Sequence, residues 1–126
     1  MTDIETISTP DAPAALGPYS QALRANGAIY CSGQVPLDPK TGELVEGGIE
    51  AQTRRVLANL RAVLRAAGSD FNRLLQTTVY LTDMNDFSKV NAICTELYGG
   101  AKPTRTCVQV VALPRGARIK IDAIAI

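Results

Sequence analysis

An apolar stripe between residues 49 and 67 constrains the fold more than any other feature. Ile49, Val56, Leu57, Leu60, Val63, Leu64 and Ala67 recur at the 3.6-residue period of a helix, and Arg54, Arg61 and Arg65 fall on its other side. Gly68 stands where such a helix stops. A shorter stripe of Phe87, Val90, Ile93 or Cys94, and Leu97 predicts a second amphipathic helix, closed by Gly99-Gly100. Asp83 and Asn85 offer N-caps for it. Two one-sided helices must cover something apolar, and the remaining segments read as strands. The four arginines counting Arg55 suit a solvated helix face better than an anion site.

The strand segments have clear edges. Thr9 to Pro18 is an extended lead-in rich in Pro, Ala and Gly, after which Tyr19 to Arg24 reads as a strand. Asn26-Gly27 is a two-residue hairpin signal, and Ala28 to Ser32 returns. Gly33-Gln34 interrupts that strand, as a bulge or a close backbone approach does. Asp38 to Gly42 is turn chemistry. Leu74 to Leu81 is a β-branched strand that reads as buried on much of both faces. Thr104 to about Leu113 and Arg118 to Ile126 follow, separated by Pro114-Arg115-Gly116. The order β-β-α-β-α-β-β predicts a mixed sheet with both helices on one side. Cys31, Gln34, Arg105, Cys107 and Ile124 are expected on the uncovered side. A sheet half covered by two helices often completes its burial by oligomerising.

Composition excludes several kinds of chemistry. The 126 residues suffice for a single domain over positions 1–126 with one core, and 46% are apolar. Net charge is +1, with no basic run, so nothing suggests a nucleic-acid partner. Histidine is absent, which removes Ser-His-Asp and Cys-His catalysis and the commonest zinc ligand. Cys31, Cys94 and Cys107 are scattered, as reduced cytoplasmic thiols are. The acidic opening M-T-D-I-E-T-I-S-T-P is neither a secretory signal nor a transit peptide. No apolar run approaches the roughly 20 residues of a membrane helix.

Lys102 to Val110 carries the most suggestive chemistry. As a strand it places Arg105, Cys107 and Gln109 on one face and Thr106, Val108 and Val110 on the other, which reads as core. Arg105 is either an arginine on the wet side of a sheet or a planar fork for a carboxylate. Cys107 is either a lining thiol or a nucleophile, and no general base stands near it in sequence. Asn91, at the edge of the second helical stripe, is either a surface amide or a ligand contact.

Six segments in order, G-P-Y-S-Q from Gly17, S-G-Q-V-P from Ser32, D-P-K-T-G from Asp38, N-D-F-S-K-V-N from Asn85, P-T-R-T-C-V from Pro103 and L-P-R-G-A-R-I-K-I-D-A-I-A from Leu113, resemble the RidA family, also called YjgF or L-PSP. The resemblance spans essentially the whole chain. It implies a chorismate-mutase-like (bacillus) α+β fold, a homotrimer with a central β-barrel and clefts between subunits. It also implies a deaminase that hydrolyses 2-imino acids or their enamine tautomers to 2-oxo acids and ammonia without metal or cofactor. Arg105 matches the arginine that grips the substrate carboxylate, and Cys107 a neighbouring residue lining the cleft. Tyr19, Ser32, Gly33 and Asn91 match further pocket positions.

One position departs from the family pattern. Where the deaminase branch has a glutamate that positions the attacking water, this chain has Lys120. A protonated lysine accepts no hydrogen bond and is no base. Asp122 faces the same way but lies ~7 Å further along the strand. Three readings follow: a deaminase of small 2-imino acids such as 2-iminopropanoate and 2-iminobutanoate, a relative whose imine or enamine substrate presents a second anionic group to Lys120, and a trimer that binds small acids or acts as a chaperone without turnover.

Overall fold

A computed structural model describes residues 3–126; Met1 and Thr2, the first two residues of the acidic opening, lie outside them. The elements are β1 (Glu5–Ile7), β2 (Ala22–Ala25), β3 (Ala28–Gln34), α1 (Ile49–Ala66), β4 (Leu74–Leu81), α2 (Phe87–Tyr98), β5 (Thr104–Gln109) and β6 (Ile119–Ala125). The strands form one sheet in the order β1-β2-β3-β6-β4-β5. Only β4 and β5 run parallel, because α2 carries the chain back between them. This is the expected mixed α+β sheet with one strand more, since β1 pairs with β2 along Glu5–Ile7. No helix of the described residues is long and apolar enough to cross a membrane.

Local chemistry explains the boundaries. Asn26 and Gly27 both take positive φ, 52° and 78°, as a tight hairpin turn with matching twist requires. The first strand of that hairpin begins at Ala22 rather than Tyr19, so Tyr19 and Ser20 belong to the approach. Gln21 explains why: its buried amide bonds Thr9, Ala12 and Pro13, so it ties down the lead-in. The register shifts between Cys31 and Gln34, which is the bulge expected at Gly33. Asp83 caps a short turn by accepting from the Asn85 N–H, and Gly99 ends α2 in the left-handed region.

The core lies between the helices and one face of the sheet. Val56, Leu57, Leu60, Val63 and Leu64 of α1 are fully buried against Ile29, Val79, Leu81, Ile119 and Ile121. Burial of each such side chain is worth about 1.5–3 kcal/mol. Three of the four arginines of α1 form ion pairs on the wet side, Arg54 with Glu96, and Arg61 and Arg65 with Asp70, while Arg55 donates to Asn59. β6 alternates strictly, with Ile119, Ile121, Ala123 and Ala125 inward.

Three expectations about faces need correction. Cys31, Gln34, Arg105 and Cys107 lie on the helix-covered side, not the open one. Cys31 and Gln34 are buried, and Cys107 packs against the core. Register gives the reason: Arg105, Cys107 and Gln109 are paired with Thr77, Val79 and Leu81, the inward residues of β4. Thr106 and Val108 therefore face the open side, where Ile124 also lies, and are not core. β4 itself is buried on one face only, and β5 stops at Gln109.

Candidate active site

Arg105 projects from the edge strand β5 toward α2. Its guanidinium carbon lies 5.0 Å from the centroid of the Phe87 ring, and its Nη1 donates to Asn91 Oδ1 at 2.7 Å. A guanidinium has five N–H donors, so one amide partner leaves most of the fork unused. No ion pair among the described residues involves Arg105, Lys102 or Lys120. A cation stacked on an aromatic face and held by a neutral amide is oriented without being neutralised.

Beside it opens a cleft of about 360 Å³ between the C-terminal half of α2 and β4–β5. Asn91, Cys94, Tyr98, Lys102, Arg105 and Thr77 are among its walls, and none of the lining residues is acidic. This volume falls in the range of small-molecule sites. Thr77 is 1% exposed, and its Oγ1 is the one buried side-chain polar atom among the described residues without a hydrogen-bond partner. Burial pushes the Cys107 thiol up, and the nearby Arg105 offsets that only in part. Burial also raises Cys94, and it holds Tyr98 far above an ordinary phenol, helped by the Cys94 sulfur. These groups are neutral at pH 7, so Arg105 and Lys102 set the sign of the cleft. Among the described residues no three His, Cys, Asp or Glu side chains gather as metal ligands do.

The other singled-out residues stand elsewhere in the chain. Tyr19 and Ser32 line a separate hollow of about 450 Å³ with Tyr30. The Ser32 hydroxyl there donates to the Ser20 carbonyl at 2.6 Å. Gly33 lies under Lys120: a Cβ at Gly33 would sit 2.9 Å from Lys120 Cδ, so a side chain there would displace the lysine stem. Lys120 Nζ reaches 4.7 Å from the centroid of the Tyr80 ring, whose hydroxyl donates to Asp122. β3 is three strand spacings from β5, about 14 Å. The chain thus brings Arg105 and Asn91 together at the cleft, with Cys107 on the same strand face but not among the lining residues, and keeps Tyr19, Ser32, Gly33 and Lys120 apart from them.

Sequence reasoning passed over Thr77, Phe87, Cys94, Tyr98 and Lys102 as parts of a site. Lys102 did fall in the stretch singled out as chemically suggestive. Thr77 carried no signal, because a threonine in L-L-Q-T-T-V-Y-L is ordinary strand sequence. Its significance comes from the parallel register that sets it beside Arg105.

Known proteins resemble this chain over nearly its whole length. The Ribonuc_L-PSP family model, described as endoribonuclease L-PSP, matches residues 9–126. A 2-iminobutanoate/2-iminopropanoate deaminase of Mus musculus is 52% identical over 122 residues, spanning 97% of this chain and 90% of that protein. The crystal structure of the conserved Rid-family protein YyfA from Yersinia pestis, of unknown function, superposes with a TM-score of 0.95 at 47% identity, covering 98% of both chains. That of E. coli TdcF with bound serine superposes at 0.92 and 37% identity, covering 97% of this chain and 98% of TdcF.

Proposed function

The chain belongs to the L-PSP family, also known as YjgF or RidA, and from that premise we propose that it is a deaminase of small 2-imino acids. The observation that carries the reading is Arg105, an unneutralised, oriented fork at the mouth of a cleft without carboxylates. The mouse relative's name supports the substrate class, and serine bound to TdcF supports a site for small carboxylates.

The chemistry asks little of the protein. Water adds to the imine carbon, the carbon–nitrogen bond breaks, and ammonia leaves a 2-oxo acid. The conjugated imine is already electrophilic, so holding its carboxylate and orienting the carbon supply most of what is needed. Arg105 grips the carboxylate, Asn91 and Phe87 fix the guanidinium, and the protonated Cys107 packs against the core on the same strand face and is no nucleophile. A chain without histidine and with a net charge of +1 is poorly equipped to cut a phosphodiester, which argues against ribonuclease activity.

The assembly in this reading is a homotrimer in the cytoplasm, with open sheet faces packed into a central barrel. Tyr30 and Val108 support it as exposed apolar groups on that face. Across such a seam, Tyr19, Ser32, Gly33 and Lys120 of one copy approach Arg105 of another. A second reading, a relative acting on an imine with an additional anionic group, is favoured by Lys120 alone, a cation with no acidic partner. The test adds purified protein to a threonine dehydratase turning over threonine and follows loss of 2-iminobutanoate. Acceleration over buffer that disappears in Arg105→Ala supports the deaminase; hydrolysis at the buffer rate rejects it.

A further inference from the structure

The cleft beside Arg105 has a feature that carboxylate binding alone leaves unexplained. Thr77, in the lining of the cleft, has a buried Oγ1 with no partner within the protein, although the large majority of buried side-chain polar groups have one. Thr77 and Arg105 are register partners on parallel strands, about 4.8 Å apart at Cα, with side chains on the same face. Arginine is long and Arg105 reaches α2, whereas threonine is short and its hydroxyl stays at the sheet. A short acid held by the guanidinium in this cleft can direct its far end toward Thr77, which lines the same cleft.

We propose that Thr77 determines specificity: the cleft favours short 2-imino and 2-oxo acids whose third carbon carries a hydrogen-bonding group, with Arg105 on the carboxylate and Thr77 Oγ1 on that group. This rests on the reading of Arg105 as the carboxylate grip. A buried hydroxyl left unpaired by an apolar ligand keeps its desolvation penalty, and a ligand with a matching hydroxyl removes it. Polar sites discriminate against analogues lacking the partner group for this reason.

The test measures binding rather than turnover, so it is independent of deaminase activity. 3-Hydroxypyruvate and 2-oxobutanoate have nearly the same shape and differ by a hydroxyl in place of a methyl. By calorimetry, wild-type protein should bind 3-hydroxypyruvate about tenfold more tightly, the value of one hydrogen bond. Thr77→Val keeps the β-branched shape and should abolish the preference while retaining 2-oxobutanoate affinity. Thr77→Ser should keep the preference, and Arg105→Ala should weaken both acids. Equal affinities in wild type, or a preference that survives in Thr77→Val, would overturn the proposal. If neither acid binds, the proposal falls together with the Arg105 reading. Discrimination without any imine hydrolysis upholds it while the deaminase assignment falls. If Thr77→Val does not fold, the wild-type preference and a shift of the Thr77 amide resonance on adding 3-hydroxypyruvate, but not 2-oxobutanoate, decide the matter.

Discussion

Arg105 and Lys120 stand on opposite faces of the same sheet. Arg105 pairs with the inward Thr77 and reaches α2, while Lys120 pairs with Tyr80 and lies over its ring on the open face. Within one chain they cannot touch the same small acid. If position 120 serves the Arg105 site, it does so from a neighbouring copy.

Assembly is therefore the first prediction. Light scattering at micromolar concentration should give about three times the 13.4 kDa chain mass. Val108→Glu, which puts a charge on the open face without touching the core, should lower that mass and the deaminase rate together. A monomeric wild type that hydrolyses imines at full rate contradicts the shared cleft.

Position 120 is predicted to limit turnover. Lys120→Glu supplies a hydrogen-bond acceptor for water and should raise kcat/KM on 2-iminobutanoate at least about tenfold. Unchanged or lower activity would instead favour a substrate that uses the lysine as an anion contact.

Alkaline pH should destabilise the fold through Cys31. Burial, and then the Asp122 charge, push this thiol from 9.0 up to about 12. Between those values the unfolded chain releases the proton and the folded chain keeps it. Stability is thus fully present below pH 9 and falls as pH rises toward 12. The melting temperature should drop over that window, and Cys31→Ala should flatten the drop.

Arg118 ties the start of β6 to the N-terminal end of α2. Its Nη2 donates to both carboxylate oxygens of the buried Asp86, at 2.8 and 3.0 Å. Arg118→Ala strands that carboxylate and should cost about 2–3 kcal/mol in urea unfolding, below the full value for a buried orphan charge because Arg118 is partly solvated. Arg54→Ala breaks an exposed pair and should cost under about 1 kcal/mol.

The helices and the hairpin turn were legible because period and turn chemistry are local. β1 was not, since Glu5–Ile7 is too short to show alternation. The two faces of β5 were separated correctly but assigned to the wrong sides. Thr106, Val108 and Val110 look like core, yet which face α2 covers is set by register with β4, not by β5 itself. Arg105 was found by its charge and Asn91 by its place on a stripe edge. Their contact, and the buried Thr77 hydroxyl nearby, exist only once α2, β4 and β5 are assembled.

The claim that Arg105 grips a small acid is tested most directly by a crystal soaked with 2-oxobutanoate. The account predicts both carboxylate oxygens within hydrogen-bond distance of the Arg105 guanidinium, with the acid's chain directed toward Thr77. The acid bound elsewhere, with Arg105 still held only by Asn91 and Phe87, would contradict it.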